Sequence, residues 1–165
     1  MITYLHQVIS LLVAAVLGAA IGLERELNQK AAGLRTNILI CLGACIFTLI
    51  SRQMGSAFES SATRIAAHIV GGIGFLGAGA IIQDRGGVQG ITTAATIWLV
   101  ASVGMSCGGG LYGLAFVATA LAILTLLGLG PLERKLKKYS FKKKKKIRTQ
   151  NLHTTNEELP LCITC

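Results

Sequence analysis

RIAAHIVGGIGFLGAGAIIQDRGGVQGITTAATIW, residues Arg64 to Trp98, is the stretch that decides the fold. An apolar run carrying glycine at 71, 72, 74, 77 and 79 passes through a short charged turn into TTAAT. In water, each glycine costs a helix roughly 1 kcal/mol against alanine. In a bilayer the backbone must satisfy its own hydrogen bonds, so the helix survives, and small residues let neighbouring helices approach closely. The pattern therefore predicts a tightly packed membrane helix.

The rest of the chain fits that reading. Of 165 residues, 52% are hydrophobic and 14% charged, against the quarter or so that a soluble domain carries in charged residues. Mean hydropathy is +0.62. A span needs ~20 mostly apolar residues. Five are expected, at approximately Leu5–Leu23, Asn37–Ile50, Ile65–Ile82, Ile91–Met105 and Leu111–Leu129. The second and fourth are short for a ~30 Å hydrocarbon core. The first twenty residues contain no Lys or Arg, and Glu24-Arg25-Glu26 follows them. That is the reverse of a cleaved signal, so Leu5–Leu23 reads as a retained helix.

The net charge of +9 is unevenly placed. Residues 1–130 carry six Lys/Arg against four Asp/Glu, whereas residues 131–165 carry ten against three. This divides the chain into a transmembrane domain, 1–130, and a polybasic, disordered tail, 131–165. With five spans, the first loop, the third loop and the tail share one side, and that side holds fourteen of the sixteen basic residues. The positive-inside rule then places the N-terminus outside and the tail in the cytoplasm. The predicted fold is an all-α integral membrane protein, a five-helix bundle with Gly/Ala-rich packing. Three small-residue stripes are available for helix contacts: Ala14, Gly18 and Gly22; Gly71, Gly74 and Ala78; Gly104 and Gly108. Such stripes serve packing within a chain and a homodimer face alike.

Several motifs dissolve on inspection. Gly72 to Gly77 matches the dinucleotide pattern GxGxxG, but it lies inside a span and position 97, where an acidic residue belongs, is isoleucine. Cys162 and Cys165 form a single CxxC at the chain end, too little for zinc or redox chemistry and a poor prenylation signal. With an odd count of five, the cysteines are expected as free thiols. Lys142, Lys143, Lys144, Lys145 and Lys146 form an unbroken basic run just after the last span. There it fixes topology and binds anionic lipid, at ~1 kcal/mol per charge, and no nucleic-acid partner is expected. His68, about one turn inside the third span, is either a hydrogen-bonding group between helices or a titrating one. No catalytic constellation is visible, and no enzymatic activity or cofactor is expected.

The acidic residues before the tail are Glu24, Glu26, Glu59 and Asp84. Glu24, Glu26 and Asp84 fall on the cytoplasmic side, with Asn37 and Gln83 near the same boundary. Mg²⁺ prefers carboxylate, carbonyl and water oxygens, so these three could hold it. The competing reading is ion pairing. Glu26 would pair with Lys30 four residues on if the helix continues, and Arg25 and Arg35 would neutralise Glu24.

Together these blocks resemble the MgtC/SapB family of bacterial inner-membrane proteins. The resemblance rests on GxxIGLERE (Gly18 to Glu26), Lys30, AGLRT (Ala32 to Thr36), LGA (Leu42 to Ala44) and RIAAxIVxGIGFLGAGxII (Arg64 to Ile82). GITTAATIW (Gly90 to Trp98) and the turn GxGxY (Gly108 to Tyr112) complete it. It implies a multi-pass protein of the bacterial plasma membrane linked to magnesium homeostasis, growth in low magnesium and, in pathogens, survival in host cells. It marks Glu24, Arg25, Glu26, Arg35, Arg64, Thr92, Thr93 and Trp98 as functional candidates. Two activities compete: modulation of a membrane-protein partner, and Mg²⁺ permeation by an oligomer. Three departures stand out. Ser61 occupies a place usually acidic in the family, His68 one usually glutamine, and Asn37 one commonly histidine. Many relatives add a folded cytoplasmic domain, for which the polar tail is too short. Regulation routed through such a domain is expected to be absent.

Overall fold

The computed structural model describes residues 2–55, 62–84 and 87–130, with side chains described for 4–54, 67–83 and 87–130. Ser61, the basic run Lys142–Lys146 and the terminal CxxC lie outside the described residues, as do the side chains of Arg64 and Asp84. Five helices follow in order: α1 (Ile2–Leu27), α2 (Leu34–Gly55), α3 (Ala62–Gly79), α4 (Ile91–Gly108) and α5 (Tyr112–Gly130). Between α3 and α4 stands a two-stranded antiparallel hairpin, β1 (Ile82–Asp84) with β2 (Gly87–Gln89), pairing Ile82 with Gln89 and Gln83 with Val88. The chain divides into two compact units, Met1–Leu124 and Thr125–Cys165. Of the second, the described part is the end of α5; everything argued below belongs to the first.

Among the described residues four helices, α1, α2, α4 and α5, are long and apolar enough to cross a membrane. The second and fourth spans gain length over their expected limits. Helix α2 takes in Leu34-Arg35-Thr36 at its start and Ser51 to Gly55 at its end. Helix α3 goes the other way. It stops at Gly79, and Ile82, expected inside the span, begins the hairpin instead. The reason is local. Gly90 turns with φ 90° directly against the carbonyl of Ala80, a contact that no side chain could share, so the chain leaves the helix before that point.

The bundle is built around α2, which packs most extensively on α1 and α4. Glycine makes these approaches close. A Cβ on Gly18 would stand 2.8 Å from Cys41 Cβ, and one on Gly22 would stand 2.9 Å from Leu34 Cα. Across the other face, a Cβ on Gly108 would stand 2.6 Å from the Cys45 carbonyl, and one on Gly104 would run into the Cys41 carbonyl. The interior is accordingly small: Ala14, Leu17, Ile21, Cys41, Ala44, Cys45, Val100, Ala101, Val103 and Cys107 are buried. Cys41, Cys45 and Cys107 are free thiols. Large apolar side chains such as Leu12, Leu39, Phe75, Phe116 and Leu124 point outward. This inversion of size suits a surface solvated by lipid, where apolar exposure carries no penalty. The α3 stripe behaves differently from the others, for Gly71 and Gly74 have nothing within 4 Å of a built Cβ.

Candidate functional site

Three helix termini meet at one end of the bundle: the C-terminus of α1 and the N-termini of α2 and α4. Helix α1 stops by a Schellman turn. Lys30 N–H donates to the Arg25 carbonyl at 3.0 Å and Gln29 N–H to the Glu26 carbonyl at 2.9 Å, with Gln29 left-handed at φ 51°. The helix therefore ends at Leu27, and the Glu26–Lys30 pair expected from i, i+4 spacing is not made. The carboxylate of Glu26 crosses the turn instead and accepts the Leu34 N–H at 3.0 Å, capping α2. It lies flat on Gly33, where a Cβ would displace it. A carboxylate on the open N–H groups at a helix start also meets the positive end of that helix's dipole.

Asn37 fastens the same loop from inside. Fully buried in α2, it donates through Nδ2 to the carbonyls of Ala32 at 2.9 Å and Gly33 at 2.7 Å. Its Oδ1 has no hydrogen-bond partner.

Glu24 and Arg25 turn inward and are 9% and 3% exposed, a burial that a charged pair tolerates only when its charges are matched. Asn28, one turn on, donates to Glu24 Oε1 at 2.8 Å and to the Glu24 carbonyl at 3.0 Å. Arg25 Nη1 lies 3.7 Å from Glu24 Oε2. Arg25 Nη2 donates to Thr93 Oγ1 in the first turn of α4, at 3.3 Å. The chain thus ties α1 to α4 across 68 residues by a guanidinium–hydroxyl bond. Glu24 Oε2 and Arg25 Nε are left without hydrogen-bond partners.

Of the residues marked from the sequence, Glu24, Arg25 and Thr93 converge, and Glu26 stands beside them as the cap of α2. Thr92 and Arg35 are exposed at the starts of α4 and α2. Trp98 lies on the outer surface, half exposed, beside a shallow groove with Ile69, Val70 and Met105. Among the described residues, no three His, Cys, Asp or Glu side chains gather as metal ligands. Asn28 was not anticipated, although its spacing of four from Glu24 is the signal that finds it.

A second polar cluster, also unanticipated, joins α1 to α5 at the opposite end. Ser10 donates to the His6 carbonyl at 3.0 Å, Tyr112 Oη lies 2.7 Å from Ser10 Oγ, and His6 Nδ1 lies 2.9 Å from Tyr112 Oη. The His6 and Tyr112 rings stack at 5.7 Å. Near that end Arg52 of α2 donates to the Gly108 carbonyl at 3.1 Å, a cation on the last turn of α4.

Comparison with known proteins places this architecture. Residues 11–135 match the model of the MgtC family. The protein MgtC of Brucella abortus is 46% identical over 127 residues, covering 77% of this chain and 52% of its own. The protein MgtC of Salmonella typhimurium is 47% identical over 116 residues, covering 70% and 49%. An uncharacterised protein of Synechocystis is 43% identical over 127 residues, covering 77% and 53%. The chain spans about half the length of these relatives. No solved structure matches. With the family model covering most of the chain, including the Glu24–Arg25–Thr93 network, the chain belongs to the MgtC family.

Proposed function

We propose that the chain acts in magnesium homeostasis, in growth or survival at low magnesium, as a non-enzymatic modulator of another membrane system in the bacterial inner membrane. The observation that carries this reading is the state of Glu24. Its carboxylate is buried, held by Asn28 on one oxygen and faced by Arg25 on the other. A carboxylate that binds and releases a hydrated divalent ion needs access to water and freedom from a competing cation. Glu24 has neither; it faces Arg25, the residue that ties α1 to α4. Lys142 to Lys146 serve as the contact to anionic lipid in this reading.

The test is gentle solubilisation of the tagged full chain from bacterial membranes, after brief crosslinking. A defined membrane protein should co-purify, and its yield should fall when Arg25→Gln loosens the network. A clean homo-oligomer with no partner would count against the modulator.

One observation favours a second reading, Mg²⁺ permeation by an oligomer. Glu24 Oε2 and Asn37 Oδ1 are hard oxygen acceptors with no hydrogen-bond partner. If an ion passes them, Glu24→Gln lowers Mg²⁺ flux, and Asp84→Asn does the same where that carboxylate joins the path.

A further inference from the structure

The three helix termini at the Glu24 end are treated unequally. Helix α1 closes on its own carbonyls, and α2 is capped by Glu26. Helix α4 begins at Gly90, which has no side chain to offer, and its first turn carries no side-chain cap. Ile91 is 60% exposed and Thr92 is exposed as well, so this turn is reached from outside. Open N–H groups at the positive end of an 18-residue helix favour an anion, but alone they are satisfied by water.

Arg25 changes that balance. It is 3% exposed, and its guanidinium reaches into the same turn of α4 at Thr93. Of its five N–H donors, the only hydrogen bond formed among the described residues is the 3.3 Å one to Thr93, and Nε has no partner. Glu24 Oε2 at 3.7 Å supplies charge but lies beyond the 2.7–2.9 Å of a charge-assisted hydrogen bond, so it fills no donor. A buried guanidinium so sparsely bonded calls for an acceptor.

We propose that Arg25, Thr93 and the N–H groups opening α4 form an oxyanion site that takes a phosphate group, either free or carried by a lipid headgroup. The guanidinium fork matches phosphate oxygens in pairs, and the helix start supplies further donors. This site is independent of the modulator reading and stands or falls without it.

The test uses the purified full chain in a phosphate-free detergent, with Gln in place of each of Lys142, Lys143, Lys144, Lys145 and Lys146 so that the tail does not score. Inorganic phosphate is titrated and followed by ³¹P line broadening. In parallel, the protein is moved into nanodiscs containing phosphatidylglycerol, and retained lipid is counted by native mass spectrometry. Saturable broadening that weakens at least tenfold in Arg25→Gln supports a site for free phosphate. Absent broadening, with phosphatidylglycerol retention lost in the same variant, supports a lipid headgroup. Thr93→Val keeps the side-chain shape while releasing the guanidinium, and carries the test if Arg25→Gln does not fold. Neither signal in folded protein, or binding unchanged in both variants, overturns the proposal.

Discussion

Two populations of glycine line these helices, and they predict opposite responses to the same substitution. At Gly104 an added methyl meets the Cys41 carbonyl, a backbone atom that cannot rotate away, whereas at Gly74 it meets nothing. Gly104→Ala should therefore cost about 1–3 kcal/mol through forced separation of α4 from α2. Gly74→Ala should be neutral or stabilising by up to about 1 kcal/mol, the helix-propensity gain. Chemical unfolding of the two variants in the same detergent compares them directly. The Glu24–Arg25 pair gives a second residue-scale contrast. Arg25→Ala leaves a buried carboxylate facing no cation and should cost about 3–5 kcal/mol. Glu24→Gln keeps the oxygen that Asn28 uses, so its cost should be smaller than that of Arg25→Ala. Equal losses in the same unfolding assay would show that the Arg25–Thr93 bond between α1 and α4 adds nothing to the ion pair.

Among elements, the informative places are the joints. Glu26 caps α2 across the loop, so Glu26→Ala should cost about 1 kcal/mol while Lys30→Ala costs little. An i, i+4 ion pair would make the two losses alike, and thermal unfolding of both variants separates these outcomes. Similarly, Tyr112→Phe removes the hydroxyl that links buried Ser10 to His6. It should cost about 1 kcal/mol and increase proteolysis at the α4–α5 turn. The helices themselves were legible in the sequence, because long apolar runs have few alternatives in a chain so poor in charge. The glycines of α1 and α4 were legible only as stripes, since spacing does not say which neighbour a stripe meets. The limits of α3 and the hairpin were hidden by Ile81-Ile82, whose hydropathy continues the span while the Gly90–Ala80 contact ends it. At the candidate site, Glu24, Arg25 and Thr93 were marked by resemblance, but their meeting needed the fold. The Glu26–Lys30 pair required α1 to continue, and its end at Leu27 depends on Gln29, a residue with no special claim on a left-handed conformation.

At the scale of the molecule, small side chains bind α1, α2 and α4 into a closed core, while α3 leaves Gly71 and Gly74 facing outward. The side-chain hydrogen bonds named above that join one helix to another lie at the two ends of the bundle, one end linking α1 to α2 and α4, the other linking α1 to α5 and α2 to α4. Within the spans, Thr48, Thr96, Ser102 and Thr119 donate to carbonyls of their own helices. Such an arrangement suits a body that presents surfaces to other membrane components better than one that opens a polar path through its centre. The measurement that bears most directly on this account is Mg²⁺ entry into liposomes holding the purified full chain, read with an entrapped magnesium indicator after insertion and helical content are verified. The account predicts no protein-dependent flux. Saturable Mg²⁺ entry that falls in Glu24→Gln would contradict it and make the chain a permease.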